Sequence, residues 1–241
     1  LGLHPAAINK LAEMVKSASV RSQIIQQRII VGKYAVGTQL PNEQELADSL
    51  NVSRTTIREA VKLLVSRRVL EIERGKGTFV AAIPGLSEDP FGLEFVNEDI
   101  LKSNLSQFRS IIEPEVCALA AANASAHQLD DMKHLVVRMN EISCLVVESS
   151  VDEWIDEFID QEIAFHTLIY KMTRNVVFER MTNIISRSVI INSTALNYRQ
   201  GFDFTKYTEL HTTLYEALAS RDPEIARKHG QEHMETFKLF T

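Results

Sequence analysis

Apolar residues recur at helical spacing along most of this chain, but the pattern is different in residues 40–80. There, two short amphipathic segments precede two apolar runs that flank a basic turn. The first segment begins after Asn42, a good N-cap with Glu45 three residues later, and the second begins after Ser53. This order predicts a helix-turn-helix followed by a β-hairpin.

The start of the second predicted helix is rich in side chains that donate hydrogen bonds. It carries Arg54, Thr55, Thr56 and Arg58 within five residues. A helix N-terminus attracts anions, and a helix-turn-helix presents the start of its second helix to the major groove of DNA. These residues are therefore predicted to contact DNA, although the pattern alone leaves open that they are solvated residues of an ordinary helix pair.

The predicted hairpin adds a second basic element. Its turn contains Arg74 and Lys76, which alternate with Gly75 and Gly77. Glycine relaxes the backbone at a tight turn, and both cations can reach phosphate or the floor of a groove. A basic hairpin at this distance from the helix pair favours a DNA-binding winged helix.

Charge divides the chain near the same place. Residues 1–83 contain 12 Lys or Arg against 7 Asp or Glu, whereas the remaining residues contain 14 against 25, within a total formal charge of −6. A modestly basic segment joined to an acidic one suits DNA binding by the first part only.

The remaining pattern predicts a second, all-helical part of the chain. A helix is predicted over residues 6–31, and a stretch rich in proline and glycine predicts a linker over residues 84–97. Further helices are predicted over about 98–103, 105–124, 127–148, 152–172, 176–197, 204–220 and 222–239. The expected fold class is mainly α, with a winged helix-turn-helix in residues 1–83 and an all-α bundle in residues 98–241.

Histidines supply the candidate chemistry of the predicted bundle. Glu162 and His166 are four residues apart and project from one helix face, while His211 and His233 lie on later helices. Three imidazoles and one carboxylate, contributed by three predicted helices, suit a divalent ion such as zinc, nickel or manganese. The spacing alone leaves open that these histidines are polar core or surface residues.

The run from Leu40 to Val80 resembles, motif for motif, the winged helix of the GntR family of bacterial transcription regulators. The resemblance covers about the first third of the chain. It implies that the recognition helix and the wing contact operator DNA through Arg54, Thr55, Thr56, Arg58, Gly75 and the neighbouring Lys76. Gln44, which stands where many members have Arg, is a further candidate contact, as is Arg74 in the wing.

Residues 98–241 resemble the FCD domain, the helical ligand-binding partner of one GntR subgroup. Arg109 and the Glu113-Pro114 pair match the motif in its first long helix. The resemblance implies a divalent metal held by His166, His211, His233 and Glu162, with Glu where most members have Asp.

A metal with open coordination positions in an apolar bundle suggests an effector that is a small organic or sugar acid. Arg109 is the candidate second anchor, because guanidinium binds carboxylate through two parallel hydrogen bonds. A salt bridge between Arg109 and Glu113 on the same helix is an equally open alternative. Asn175, Arg187 and Asn192 are further polar candidates for this site.

The expected function is that of a ligand-responsive transcription regulator, a homodimer on palindromic operator DNA, rather than an enzyme. Repression relieved by the ligand is the outcome that the resemblance favours, and activation stays open. Two rivals stay open: a metal-dependent hydrolase with a DNA-binding appendage, and a DNA-binding dimer with no effector. The sequence contains no run of eighteen apolar residues, so no membrane span is predicted. Cys117 and Cys144 are expected to be buried free thiols, consistent with a cytoplasmic protein.

Overall fold

A computed structural model of the chain describes residues 17–86, 89–148, 151–195 and 203–237. The chain divides into two compact units, Leu1–Pro90 and Phe91–Thr241, and each unit has its own hydrophobic core. The predicted fold class, a winged helix-turn-helix joined to an all-α bundle, is confirmed.

The N-terminal unit contains three described helices and one hairpin. They are α1 (Ala18–Ile30), α2 (Glu43–Leu50), α3 (Arg54–Ser66), β1 (Leu70–Glu73) and β2 (Gly77–Val80). Apolar residues of every element meet in one core, which includes Ile25, Leu46, Ile57, Leu64 and Leu70. The helix predicted over residues 6–31 is described from Ala18 onward, and residues 6–16 lie outside the described residues.

Two caps determine where α2 and α3 begin. The Asn42 side chain accepts hydrogen bonds from the backbone N–H groups of Gln44 and Glu45, and the Glu45 carboxylate accepts one from Asn42 N at 2.8 Å. Ser53 Oγ accepts a hydrogen bond from Thr56 N at 3.1 Å. These caps satisfy N–H groups that a helix start leaves unpaired, so α2 and α3 start at defined residues.

The wing is an antiparallel hairpin with Leu70 opposite Val80. Its turn requires glycine, because Gly75 has φ +77° and Gly77 has φ +135°. A Cβ at Gly77 would also collide with the side chain of Gln39, whose Nε2 donates a hydrogen bond to Lys76 O at 2.6 Å. The segment before α2 thereby anchors the wing to the helix pair.

Helices make up most of the described residues of the C-terminal unit, and none of those residues lies in a strand. After a 3₁₀ turn at Leu93–Phe95 come α4 (Glu98–Asn123), α5 (Ala126–Glu148), α6 (Val151–Met172), α7 (Val176–Arg180), α8 (Thr182–Ala195), α9 (Phe204–Ala219) and α10 (Pro223–Phe237). Their inner faces share a core that includes Val116, Met132, Met139, Phe165, Ile169, Ile185 and Leu214.

Two predicted helix boundaries in this unit are wrong. A break was expected near residue 104, but α4 is continuous because Leu101 and Leu105 pack against Ile184, and this tertiary contact outweighs local propensity. The single helix expected over residues 176–197 is instead divided at Met181, because i→i+3 hydrogen bonds form a tighter turn there. Residues 196–197 lie outside the described residues.

The two thiols have different environments. Cys117 is free and buried, as expected, whereas Cys144 is free but exposed, so the prediction of two buried thiols is wrong for Cys144. Cys144 lies on the outer face of α5, whose inner face is formed by residues such as Met139 and Ile142. Among the described helices, none has both the length and the apolar character that crossing a bilayer requires.

Candidate functional site

The start of α3 presents two arginines that share one acidic partner. Arg54 and Arg58 are four residues apart, so their side chains lie on the same face of the helix. Their side chains are 60% and 50% exposed, and both contact the carboxylate of Glu43 at the start of α2. The guanidinium groups are thus held at the surface, where a recognition helix meets DNA.

The other predicted recognition residues occupy different local environments. Thr55 is exposed, whereas Thr56 is half-buried and its hydroxyl lies 2.8 Å from Ser53 Oγ, within the cap. Gln44 is exposed on α2 and donates a hydrogen bond to Asp48 Oδ1 at 3.0 Å. Thr55 and Gln44 are therefore open to solvent, while the Thr56 side chain belongs to the cap at the start of α3.

A groove separates α3 from the wing, and cations line both of its sides. Arg58 and Lys62 contribute from α3, and Arg74 and Lys76 contribute from the hairpin turn beside Gly75. Lys76 Nζ lies 2.8 Å from the carboxylate of Glu73, in an exposed pair. Lys62 is absent from the sequence prediction, although its position four residues after Arg58 on a helix is a signal that could have identified it.

Three histidines meet inside the C-terminal unit. His166 comes from α6, His211 from α9 and His233 from α10, and one ring nitrogen from each lies within 4.8 Å of the others. All three rings are buried, at 3% exposure or less. The helical bundle thus brings together the three histidines predicted as metal ligands.

The orientation of His211 is determined by its hydrogen bond to the backbone. Its Nδ1 lies 3.0 Å from the carbonyl oxygen of Tyr207, which can only accept, so Nδ1 donates and Nε2 is the ring nitrogen left for another partner. That Nε2 lies 2.8 Å from Glu162 Oε1, but the contact does not have hydrogen-bond geometry. A carboxylate oxygen and an imidazole nitrogen therefore lie side by side in the interior, and both are atom types that ligate divalent metals.

Glu162 lies beside the histidines but does not join the set of mutually close ligand atoms. Its second oxygen, Oε2, accepts a hydrogen bond from the Tyr207 hydroxyl at 3.0 Å. Tyr207 thus orients Glu162 through its side chain and His211 through its backbone. Sequence reasoning missed Tyr207, although its position four residues before His211 on a predicted helix was a usable signal.

His166 and His233 are held in the neutral form, which is the form of histidine that can bind a cation. Burial lowers the pKa of His166 well below its usual value, and Arg109, His233 and His211 lower it further. Burial also lowers the pKa of His233, with His211 and Arg109 acting in the same direction. Neither ring nitrogen of His233 has a hydrogen-bond partner of good geometry among the described residues. A neutral imidazole is the form that ligates a divalent metal.

A buried ion pair on α4 adjoins this centre. Arg109 Nε lies 2.5 Å from Glu113 Oε1, and both side chains are at most 4% exposed, so the salt bridge left open by the sequence is formed. Arg109 Nη2 also lies 3.2 Å from His166 Nδ1. Burial alone would lower the pKa of Arg109, but the charge and hydrogen bond of Glu113 outweigh it and raise that pKa.

Asn175 and Arg187, two of the other predicted effector residues, make contacts with residues outside the histidine cluster. Asn175 is exposed, and its side chain caps α7 by accepting a hydrogen bond from Val177 N at 2.9 Å. Arg187 is half-buried on α8 and lies 4.0 Å from Glu94. The side chain of Asn192 lies outside the described residues.

Tyr170 is a further polar group that sequence reasoning missed. It follows His166 by four residues on α6, and its hydroxyl is buried without a hydrogen-bond partner among the described residues. Burial, and then the charge of Glu113, raises the pKa of this hydroxyl, so it stays protonated and can donate a hydrogen bond.

Two protein families match the two units of the chain. Residues 19–80 match the family described as bacterial regulatory proteins, gntR family. Residues 104–236, more than half of the chain, match the FCD domain. The two matches together account for both the winged helix and the helical bundle.

Relatives of similar length are transcription regulators. The chain is 27% identical over 231 residues to the uncharacterized HTH-type transcriptional regulator YieP of Escherichia coli K12, covering 93% of this chain and 95% of that protein. It is 26% identical over 209 residues to the galactonate operon transcriptional repressor of the same organism, covering 84% of this chain and 86% of that protein.

A solved structure has the same overall fold. The GntR protein of Streptococcus agalactiae superposes with a TM-score of 0.76 at 27% sequence identity, covering 92% of this chain and 99% of that one. The match extends over both units, so the two proteins share the combination of a winged helix with a helical bundle.

Proposed function

We propose that this chain, which belongs to the GntR family of bacterial regulatory proteins and carries an FCD domain, is a repressor that a small acid releases from its operator. The family matches and the relatives make it a DNA-binding transcription regulator and not an enzyme, so the hydrolase alternative is set aside. The repressor among its relatives that is named for galactonate, a sugar acid, supports both the sign of regulation and the class of effector.

The observation that carries DNA binding is the exposed pair Arg54 and Arg58 at the start of α3. Arg58 also lines a groove whose other wall is the basic wing. Arginine binds guanine O6 and N7 through two hydrogen bonds, which gives sequence specificity in the major groove. Thr55, Gln44 and the wing around Gly75 add contacts to bases or phosphates. One winged helix contacts little DNA, so the repressor acts as a homodimer on a palindromic operator.

The buried histidine cluster supports a metal-dependent effector site. His166, His211 and His233 would hold a zinc, nickel or manganese ion, with Glu162 as a weaker or indirect fourth ligand. When bound, the ion supplies coordination positions for the carboxylate and hydroxyl oxygens of a small organic or sugar acid. Arg109, next to His166, contributes a guanidinium group that attracts the same anion.

Effector binding would act by population shift. The acid binds the helical unit, and the dimer then favours a placement of its two winged helices that no longer matches the spacing of the half-sites. Operator affinity falls as a result, and transcription resumes.

DNA binding is tested by selecting duplexes from a random pool with the full chain, followed by fluorescence anisotropy. The selected duplex should bind far more tightly than a scrambled duplex, and replacing Arg54 and Arg58 together by alanine should weaken its binding by about a hundredfold or more. Both arginines are exposed, so the melting temperature should stay nearly constant. Unchanged operator affinity in the double variant would refute the assignment.

The effector class is tested on the protein–duplex complex in the presence of zinc. A panel of sugar acids and other hydroxy acids should release the duplex, whereas the corresponding neutral sugars should not. Arg109→Lys keeps the positive charge but loses the fork of two N–H groups, so it should raise the acid concentration needed for release by about tenfold. Equal release by acids and neutral sugars would contradict a carboxylate effector.

A further inference from the structure

We propose that Glu43 is a positioning residue for DNA recognition, whose carboxylate holds Arg54 and Arg58 and so determines how strongly operator is preferred over other DNA. The inference rests on the proposed DNA-binding function and assigns a role to an acidic side chain. An acid at a surface that must approach phosphate is unfavourable for affinity, so its presence among the recognition arginines requires a reason.

The geometry shows one carboxylate that bridges two guanidinium groups. Arg54 Nε donates to Glu43 Oε2 at 3.1 Å. Arg58 donates through Nε to Oε1 at 3.1 Å and through Nη2 to Oε2 at 2.9 Å, which is the two-pronged arrangement of a strong arginine–carboxylate pair. The contact joins α2 to α3 across the turn of the helix-turn-helix.

Glu43 is itself well fixed. It is the first residue of α2, directly after the cap formed by Asn42 and Glu45. Its carboxylate is 29% exposed, and the hydrogen bond from Arg58 is the main cause that lowers the pKa of Glu43, so the group stays ionised. A negative charge at a helix N-terminus is also favourable for α2.

The bridge reduces two obstacles to specific recognition. Arg54 and Arg58 carry like charges on neighbouring turns, and the carboxylate between them removes most of that repulsion. A free arginine side chain also loses considerable rotamer entropy when it is ordered on a base, and the bridge orders both side chains beforehand.

The bridge also leaves Arg54 able to contact a base. Arg54 donates to Glu43 through Nε, and no hydrogen bond from its two terminal nitrogens to the carboxylate is formed. The edge formed by those two nitrogens is the one that pairs with guanine O6 and N7. The carboxylate meanwhile lowers the positive charge available to phosphates, which weakens binding to any sequence.

The test compares Glu43→Gln with Glu59→Gln in the full chain. Glu59 is a matched control because it lies on α3, is exposed and pairs with Lys62 rather than hydrogen-bonding either arginine. Both variants remove one negative charge, so both should bind a scrambled duplex more tightly. Only Glu43→Gln should lower the ratio of selected-duplex to scrambled-duplex affinity, by about tenfold, because only it releases the arginines.

Two additional variants separate positioning from a structural effect. Glu43→Asp keeps the charge at the start of α2, but its side chain is too short to reach both arginines. This variant should therefore fold normally and show a lower ratio of selected-duplex to scrambled-duplex affinity. In a background with Arg54→Ala and Arg58→Ala, the change Glu43→Gln should no longer alter the ratio, because its targets are gone. A structural role would instead lower the melting temperature of Glu43→Gln well below that of Glu59→Gln.

These experiments separate a wrong role for Glu43 from a wrong assignment of DNA binding. If the unaltered protein selects no sequence from the random pool, DNA recognition itself fails. If it selects a duplex, but Glu43→Gln and Glu59→Gln give the same affinity ratio, only the role of Glu43 is refuted. A loss specific to Glu43→Gln that disappears without the arginines supports the inference.

Discussion

Each of the two units contains an arginine–carboxylate contact, but the two contacts lie in opposite environments. In the winged helix, Glu43 bridges Arg54 and Arg58 at the surface, where the arginine side chains are 60% and 50% exposed. In the bundle, Arg109 and Glu113 are 1% and 4% exposed and lie beside the histidine cluster.

This difference in burial determines what each contact can do. Exposed ion pairs contribute about 0–1 kcal/mol, so the arginines of the winged helix can exchange part of their contact with Glu43 for a contact with DNA. A buried pair adds little net stability, but removing one partner leaves an uncompensated charge and costs about 3–5 kcal/mol. The pair Arg109–Glu113 is therefore suited to keep a guanidinium group fixed inside the bundle.

The largest expected effect comes from breaking the buried pair on one side. Glu113→Gln leaves Arg109 charged in the interior, so it should lower the free energy of unfolding of the helical unit by about 3–5 kcal/mol. Urea denaturation followed by circular dichroism measures this change. The exposed counterpart, Glu43→Gln, should lower stability by less than about 1 kcal/mol.

The matched control for that prediction lies two residues away on the same helix. Glu115 pairs with Arg227, but its side chain is 62% exposed, so Glu115→Gln should cost less than about 1 kcal/mol. Replacing both buried partners, as in Arg109→Met with Glu113→Gln, should restore much of the stability lost in Glu113→Gln. Equal losses for Glu113→Gln and Glu115→Gln would show that burial is not the deciding difference.

The buried histidine cluster should also differ from the exposed groove in that a cation bound there stabilises the fold. Adding zinc to protein stripped with a chelator should raise the free energy of unfolding by about 2.7 kcal/mol at a hundred times the Kd. His233→Gln should remove most of that gain, because it removes a ligand from the cluster. Calorimetric titration and thermal unfolding provide the measurement.

The control for zinc binding is a histidine outside the cluster. His127 has a side chain that is 84% exposed, so His127→Gln should keep the full stabilisation by zinc. If His233→Gln and the unaltered protein gain the same stability from zinc, the ion binds elsewhere and the assignment of the centre fails.

Local signals explain why the winged helix could be predicted from the sequence. The caps at Asn42 and Ser53 and the glycines of the wing act over a few residues, and each requires a particular residue type. The continuity of α4 could not be predicted in this way, because it depends on Leu101 and Leu105 packing against a distant helix.

The candidate site was predictable only in part. Helical spacing and the family resemblance identify His166, His211 and His233, but they do not show which partner each ring contacts. The orientation of Glu162 toward His211 and Tyr207 depends on how closely α6 and α9 approach each other, and sequence periodicity carries no such distance.

Close packing between α10 and α4 inside the bundle allows a further test, with a smaller expected effect. A Cβ at Gly230 on α10 would lie 2.9 Å from Cys117 Sγ and 3.3 Å from the Pro114 Cα on α4. Alanine normally stabilises a helix relative to glycine, but here Gly230→Ala should lower the free energy of unfolding by about 1–3 kcal/mol through overpacking.

A compensating substitution tests the cause of that loss. Cys117→Ala removes the sulfur atom that the new methyl group would meet, so Gly230→Ala should cost less in that background than in the unaltered protein. Urea denaturation of the four variants gives the coupling directly. A gain in stability from Gly230→Ala alone would mean that α4 and α10 can separate without cost.

The smallest expected effect comes from changing an exposed side chain of the wing. Lys76 is paired with Glu73 at the surface, and its ammonium group is close enough to the groove to contact phosphate. Lys76→Ala should weaken binding to selected and scrambled duplexes alike, and it should reduce the slope of log affinity against log salt by about one. Lys133→Ala, which removes the same charge from the helical unit, should leave that slope unchanged. If Lys76→Ala instead changed the preference for the selected duplex, the wing would contribute to base recognition, and the exposed groove would be less tolerant of change than its exposure implies.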